Sequence, residues 1–192
     1  MAHVGIFLAE GFEEVEALTP ADLLRRAGIE TDLISVTGDR TVNGSHGIKI
    51  MSDLLFDMEK CRRLDMLILP GGMPGTVNLE TADGLCRLLT EANSRNLPLA
   101  AICRAPTILG HLGILKGHTA CCYPGFEEEL DCADPRTDVT AVTDGNIITA
   151  RGVGCAIDFS LEMISFFCGK DKARKTAGSI VYNTDRCGNG VC

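Results

Sequence analysis

Cys103 stands where an apolar run gives way to a helical pattern, and that position suits a nucleophile. The run "LPLAAIC" (97–103) is followed by Arg104, Ala105 and Pro106 and then by helical spacing over 105–115. Proline suits a first helical turn, where its missing N–H costs nothing. A cysteine at a sharp strand-to-helix turn has the geometry of a nucleophile elbow, which does not require serine. The unpaired N–H groups at the start of the helix are expected to favour thiolate over thiol. Cysteine is also among the most often buried residue types, so its position and not its type singles it out.

The carboxylates of "GFEEVEA" (11–17) are the second group. Glu13 and Glu14 sit in a first helical turn, where acids complement the helix dipole, and no more is expected of them. Glu16 lies deeper, beside a kink expected from Pro20, which cannot donate to the Glu16 carbonyl. An ionised Glu16 would repel a thiolate. A pairing with Cys103 therefore requires burial to raise the carboxyl pKa, and one proton shared by the two would serve acid–base catalysis.

The "PGGMPG" segment (70–75) lacks the spacing of a phosphate-binding loop. Its adjacent glycines, Gly71 and Gly72, permit close backbone approach. The N–H of Gly72 is expected to join that of Arg104 in holding an oxyanion or an oxidised sulfur. No histidine is spaced as a general base. His111 is eight residues beyond Cys103, roughly 12 Å along a helix. His3 and His118 begin strands, and pattern alone does not place His46. No Cys or His pair has ligand spacing within one loop, so neither metal nor cofactor is expected.

The elements that must position these groups alternate. Continuous apolar runs at 3–9, 29–37, 64–72 and 97–103 suit strands covered on both faces. Helical patterns occupy 13–27, 76–95, 105–115 and 155–168, a hairpin is expected around Asp144-Gly145, and a strand near 119–122 should deliver Tyr123 to the same rim as Cys103. This alternation predicts an α/β, flavodoxin-like three-layer sandwich with a mostly parallel twisted sheet, in one domain over 1–183. Residues 184–192 show no periodicity and are expected to be a loose tail, with Cys187 and Cys192 idle.

A net charge of −8 and a pI near 5.0 argue against nucleic acid as a partner. No run approaches the ~20 apolar residues of a membrane span. The N-terminal run reads as a core strand, not a signal peptide. Ten cysteines without a C-x-x-C pair read as reduced thiols in a cytoplasmic chain.

With "GFEEVEA", "LPGGMPG", "AAICRAP", "ARGVG" and "AIDF" in this order, the chain resembles the ThiJ/PfpI superfamily, in its DJ-one/YajL-like branch, from about Val4 to Asn183. The resemblance implies a homodimer. It places the reactive cysteine at Cys103, a buried protonated glutamate at Glu16 and backbone donors at Gly72 and Arg104. It adds Gly71, Tyr123, Val153 and His46 to the pocket, and Val15 and Arg26 to the dimer interface. The activity implied is a cofactor-independent glyoxalase or deglycase acting on small α-oxoaldehydes or glycated adducts. The alternative is a redox-sensing stress protein or chaperone working through a Cys103 sulfinate. The chain departs from the family at Arg104, where a small residue is usual and the proteases have histidine, at Tyr123, where some relatives have histidine, and at Val153, which replaces a proline. Protease activity is not expected.

Overall fold

The computed structural model describes residues 1–182; Cys187, Cys192 and the expected tail lie outside them. In chain order the elements are β1 (His3–Leu8), α1 (Glu14–Ala27), β2 (Glu30–Ser35), β3 (Thr41–Asn43), β4 (Lys49–Met51), β5 (Leu54–Leu55), α2 (Met58–Cys61), β6 (Met66–Leu69), α3 (Gly75–Glu80), α4 (Asp83–Ser94), β7 (Leu99–Ile102), α5 (Pro106–His111), β8 (Thr119–Ala120), β9 (Asp134–Pro135), β10 (Ala141–Asp144), β11 (Ile147–Ala150), α6 (Ala156–Cys168) and α7 (Lys170–Ser179).

The main sheet runs β10-β11-β7-β6-β1-β2-β5 and is parallel except for β10, which pairs antiparallel with β11. Its five central parallel strands, counted in chain order, stand as 2-1-3-4-5, the flavodoxin-like arrangement. Alternation along each strand feeds two cores. Val4, Ile6, Leu8, Met66, Ile68, Ala100 and Ile102 pack with α1, α6 and α7. Phe7, Leu67, Leu69, Leu99 and Ala101 pack with α4 and α5. Both faces of the central strands are dry, which is why those strands read as unbroken apolar runs.

Several elements differ from expectation. The helix expected over 76–95 is two helices: the first closes at Thr81, whose hydroxyl donates back to the Val77 and Asn78 carbonyls, and the second begins at Asp83. The helix expected over 105–115 stops at His111, just before Gly113 takes a positive φ of 70°. The strand expected near 119–122 is the short β8, which pairs with β9 outside the main sheet. Beyond it the Cys121 N–H turns to the Thr149 hydroxyl. α1 runs on through Pro20, and the hairpin at Asp144 is present. Among the described residues, no helix is long and apolar enough to cross a membrane.

Candidate functional site

The site lies beyond the carboxyl ends of β1, β6 and β7, around the point where strand order reverses and ligand crevices form in open α/β sheets. β7 ends at Ile102, and Cys103 follows with φ 65°. That left-handed conformation is strained for a cysteine. It is held from both sides: the Cys103 N–H donates to the Ala150 carbonyl at 2.9 Å, and its carbonyl accepts from the Tyr123 N–H at 2.7 Å. The elbow is thus clamped between β11 and the Tyr123 loop.

The loops after β1 and β6 close around it. The Glu13 N–H donates to the Gly71 carbonyl at 2.9 Å, and the Gly71 N–H donates to Glu16 Oε2 at 2.9 Å. A Cβ on Gly71 would lie 2.6 Å from the Cys103 Cβ and 2.7 Å from Glu16 Oε2, so no larger residue fits. At Gly72, φ is 98° and a Cβ would lie 2.4 Å from the Glu13 nitrogen. Both glycines are required by close approach.

Glu16 is fully buried; its Oε1 has no hydrogen-bond partner among the described residues, while the carboxyl is hydrogen-bonded to Cys103. Burial, with a smaller contribution from the Glu13 charge, raises Glu16 to about 7 against the pull of the hydrogen bonds from Cys103 and Gly71. Burial also pushes the Cys103 thiol up to about 12, helped by the Glu16 charge and opposed by the N–H groups of Arg104 and Gly72. The expectation for Glu16 holds in direction.

The expected acidic thiol does not follow from these surroundings. α5 has only six residues, so its dipole is small beside the loss of hydration and a neighbouring carboxyl. Once Glu16 is ionised, its charge and the burial of the site both favour the protonated form of Cys103.

These groups open into a cavity of about 400 Å³. Its lining includes the expected Cys103, Glu16, Gly72, Arg104, Tyr123, Val153 and His46, together with Glu13, Ser45, Met73 and Phe126. Gly71 lies behind Cys103 and outside that lining. Val15 and Arg26 lie elsewhere on α1: Val15 is exposed, and Arg26 pairs with Asp22.

Glu13 and Glu14 do more than complement a dipole. The Glu13 side chain caps α1 by accepting the Glu16 N–H at 2.7 Å. Glu14 is buried beneath the 44–48 loop and accepts the His46 N–H at 2.8 Å, His46 Nδ1 at 3.0 Å, the Ile48 N–H at 3.3 Å and the Ser45 hydroxyl at 3.3 Å. Burial alone would raise its pKa, but the donors prevail and hold it at about 2. Ligand-type atoms of Glu13, Glu14 and His46 lie within 4.8 Å of one another, and the hydrogen bonds to Glu14 account for much of that clustering. His111 pairs with Glu80 and Glu129, His118 with Asp144 and His3 with Asp32.

Residues 2–165 match the DJ-1/PfpI family. The chain belongs to that family. It is 34% identical to the protein dj-1beta of Drosophila melanogaster over 181 residues, covering 93% of this chain and 97% of the relative. Against the DJ-1 homolog B of Arabidopsis thaliana it is also 34% identical, over 175 residues and 91% of this chain, but spans only 40% of that longer protein. The solved structure of oxidized Toxoplasma gondii DJ-1 superposes with a TM-score of 0.88 at 31% identity, covering 95% of this chain and 99% of that one. Drosophila DJ-1beta superposes equally well, at 32% identity and 95% and 100% coverage. The DJ-1 fold and the flavodoxin-like sheet are therefore one assignment, and the chain is a DJ-1-like member of its family.

Sequence reasoning missed Met73, Phe126 and Ser45. Met73 adjoins the glycine pair already singled out, whereas Phe126 and Ser45 reach the cavity through loop geometry that no periodicity encodes.

Proposed function

We propose that this DJ-1-like protein is a cofactor-independent enzyme acting on small α-oxoaldehydes such as methylglyoxal, or on their adducts with amines. The observation that carries the reading is the Glu16 carboxyl, raised to about 7 and hydrogen-bonded to the Cys103 thiol at the floor of the cavity. Glu16 is a base poised near neutrality beside a nucleophile.

In the addition step the Cys103 sulfur bonds to the aldehyde carbon while Glu16 takes the thiol proton. The carbonyl electron pair moves to oxygen, and the N–H groups of Gly72 and Arg104, both directed at the Cys103 sulfur, are its proposed donors. Return of the proton to that oxygen gives a hemithioacetal. Moving a proton from the aldehyde carbon to the adjacent carbonyl carbon through an enediol converts it to a thioester, and water releases a 2-hydroxy acid and regenerates the thiol. No electron acceptor is needed.

A homodimer fits the exposed Val15 and Arg26 on α1. Reduced thiols fit a cytoplasmic setting, and the eight described cysteines are all free. Oxidative sensing at Cys103 has weaker support, because selective oxidation wants a standing thiolate and this site favours the thiol. The test is methylglyoxal consumption with lactate as product: wild type turns over, and Cys103→Ser does not. Full turnover by Cys103→Ser would end the proposal.

A further inference from the structure

The cavity is graded in charge by depth. Glu16 is wholly buried and Glu13 nearly so, whereas the Arg104 side chain is 29% exposed and Met73 is half-exposed toward the mouth. The Arg104 guanidinium carbon lies 4.3 Å from the centroid of the Phe126 ring, and one N–H meets the Met73 sulfur at 3.8 Å. Glu129 lies 3.8 Å away, beyond hydrogen-bond length, and is shared with His111. A guanidinium has five donors in a rigid fork. Among the described residues, none of these side-chain donors reaches an oxygen acceptor. Stacking thus fixes the fork on the lining that Cys103 shares and leaves its donors without an oxygen acceptor at hydrogen-bond length.

From this we infer that among α-oxoaldehydes the site prefers those that also carry a carboxylate, held by Arg104 while the aldehyde carbon faces Cys103. The inference rests on Cys103 being the nucleophile. Glu13 and ionised Glu16 repel the anionic end from the floor, the Arg104 fork draws it to the mouth, and the mostly exposed His46 stands at the rim. Together they orient a short molecule with its uncharged carbonyl inward. An α-oxoaldehyde whose ketone bears a short carboxylate-ended chain, such as 4,5-dioxopentanoate, represents this class. The carboxylate makes and breaks no bonds in the addition step, so Arg104 acts in it through position and selectivity.

The test uses two alkylating reagents on the full-length protein, with the Cys103 peptide read by mass spectrometry. Iodoacetate and iodoacetamide both form a carbon–sulfur bond and expel iodide, and they differ in carrying a carboxylate or an amide. Their rate ratio cancels any change in thiol ionisation. Arg104→Gln is expected to lower the iodoacetate-to-iodoacetamide ratio about tenfold, the scale of one charge-assisted pair. Glu129→Gln, which frees the fork of its competing carboxylate, is expected to raise it and decides the matter if Arg104→Gln does not fold. An unchanged ratio overturns the inference and leaves Cys103 as nucleophile. Failure of iodoacetamide to modify wild-type Cys103 overturns both.

Discussion

Glu14, buried beneath the 44–48 loop, accepts both the backbone N–H and the ring Nδ1 of His46, at 2.8 and 3.0 Å. One carboxylate thereby fixes a rim of the cavity. Its folded pKa of about 2 lies below the ordinary 4.5, so its stabilisation is present above the unfolded value and lost as pH falls from there toward 2. The full shift corresponds to about 3 kcal/mol. Glu14→Gln is expected to lower stability at neutral pH by an amount of that order and to differ little from wild type at the acid end, read by urea unfolding.

Gly71→Ala places a methyl group against the Cys103 Cβ at 2.6 Å and Glu16 Oε2 at 2.7 Å, so both the elbow and its carboxyl partner stand in the way. Overpacking of this kind costs about 2 kcal/mol, and the elbow has to shift to admit the methyl group. The expected outcome is a folded, destabilised protein whose aldehyde turnover falls more than about a hundredfold. Thermal unfolding and steady-state rates check both parts.

Glu16 carries the opposite linkage. Its folded pKa of about 7 exceeds the ordinary 4.5, so the folded chain holds a proton that the unfolded chain has released, and stability falls as pH rises through that window. The loss levels off above about 7 at roughly 3 kcal/mol. Glu16→Gln has no charge to bury, so its stability relative to wild type is expected to be greater at about pH 8 than at about pH 5. An equal difference at both would contradict the raised pKa.

The sequence made the buried strands legible because burial on both faces leaves continuous apolar runs, and it made Cys103 legible because the end of such a run is where a side chain meets a ligand crevice. Glu16 was found by the same logic of depth. The role of Glu14 was hidden, since an acid in a first helical turn already has a sufficient local reason, and its donors come from a loop more than thirty residues away. The burial that opposes the helix N–H groups at the thiol was not legible, because a dipole can be read from local pattern while desolvation cannot. Phe126 and Met73 were silent until the fold put them beside Arg104.

The central claim is that Glu16 is the base for Cys103. It is tested most directly by the pH dependence of kcat/KM for methylglyoxal in wild type and Glu16→Gln. Ionised Glu16 accepts the thiol proton, so the wild-type rate is expected to rise with pH through about 7, and Glu16→Gln is expected to lose that limb together with at least about a hundredfold in rate. A wild-type profile flat across that range, or a Glu16→Gln profile matching it, would contradict the account.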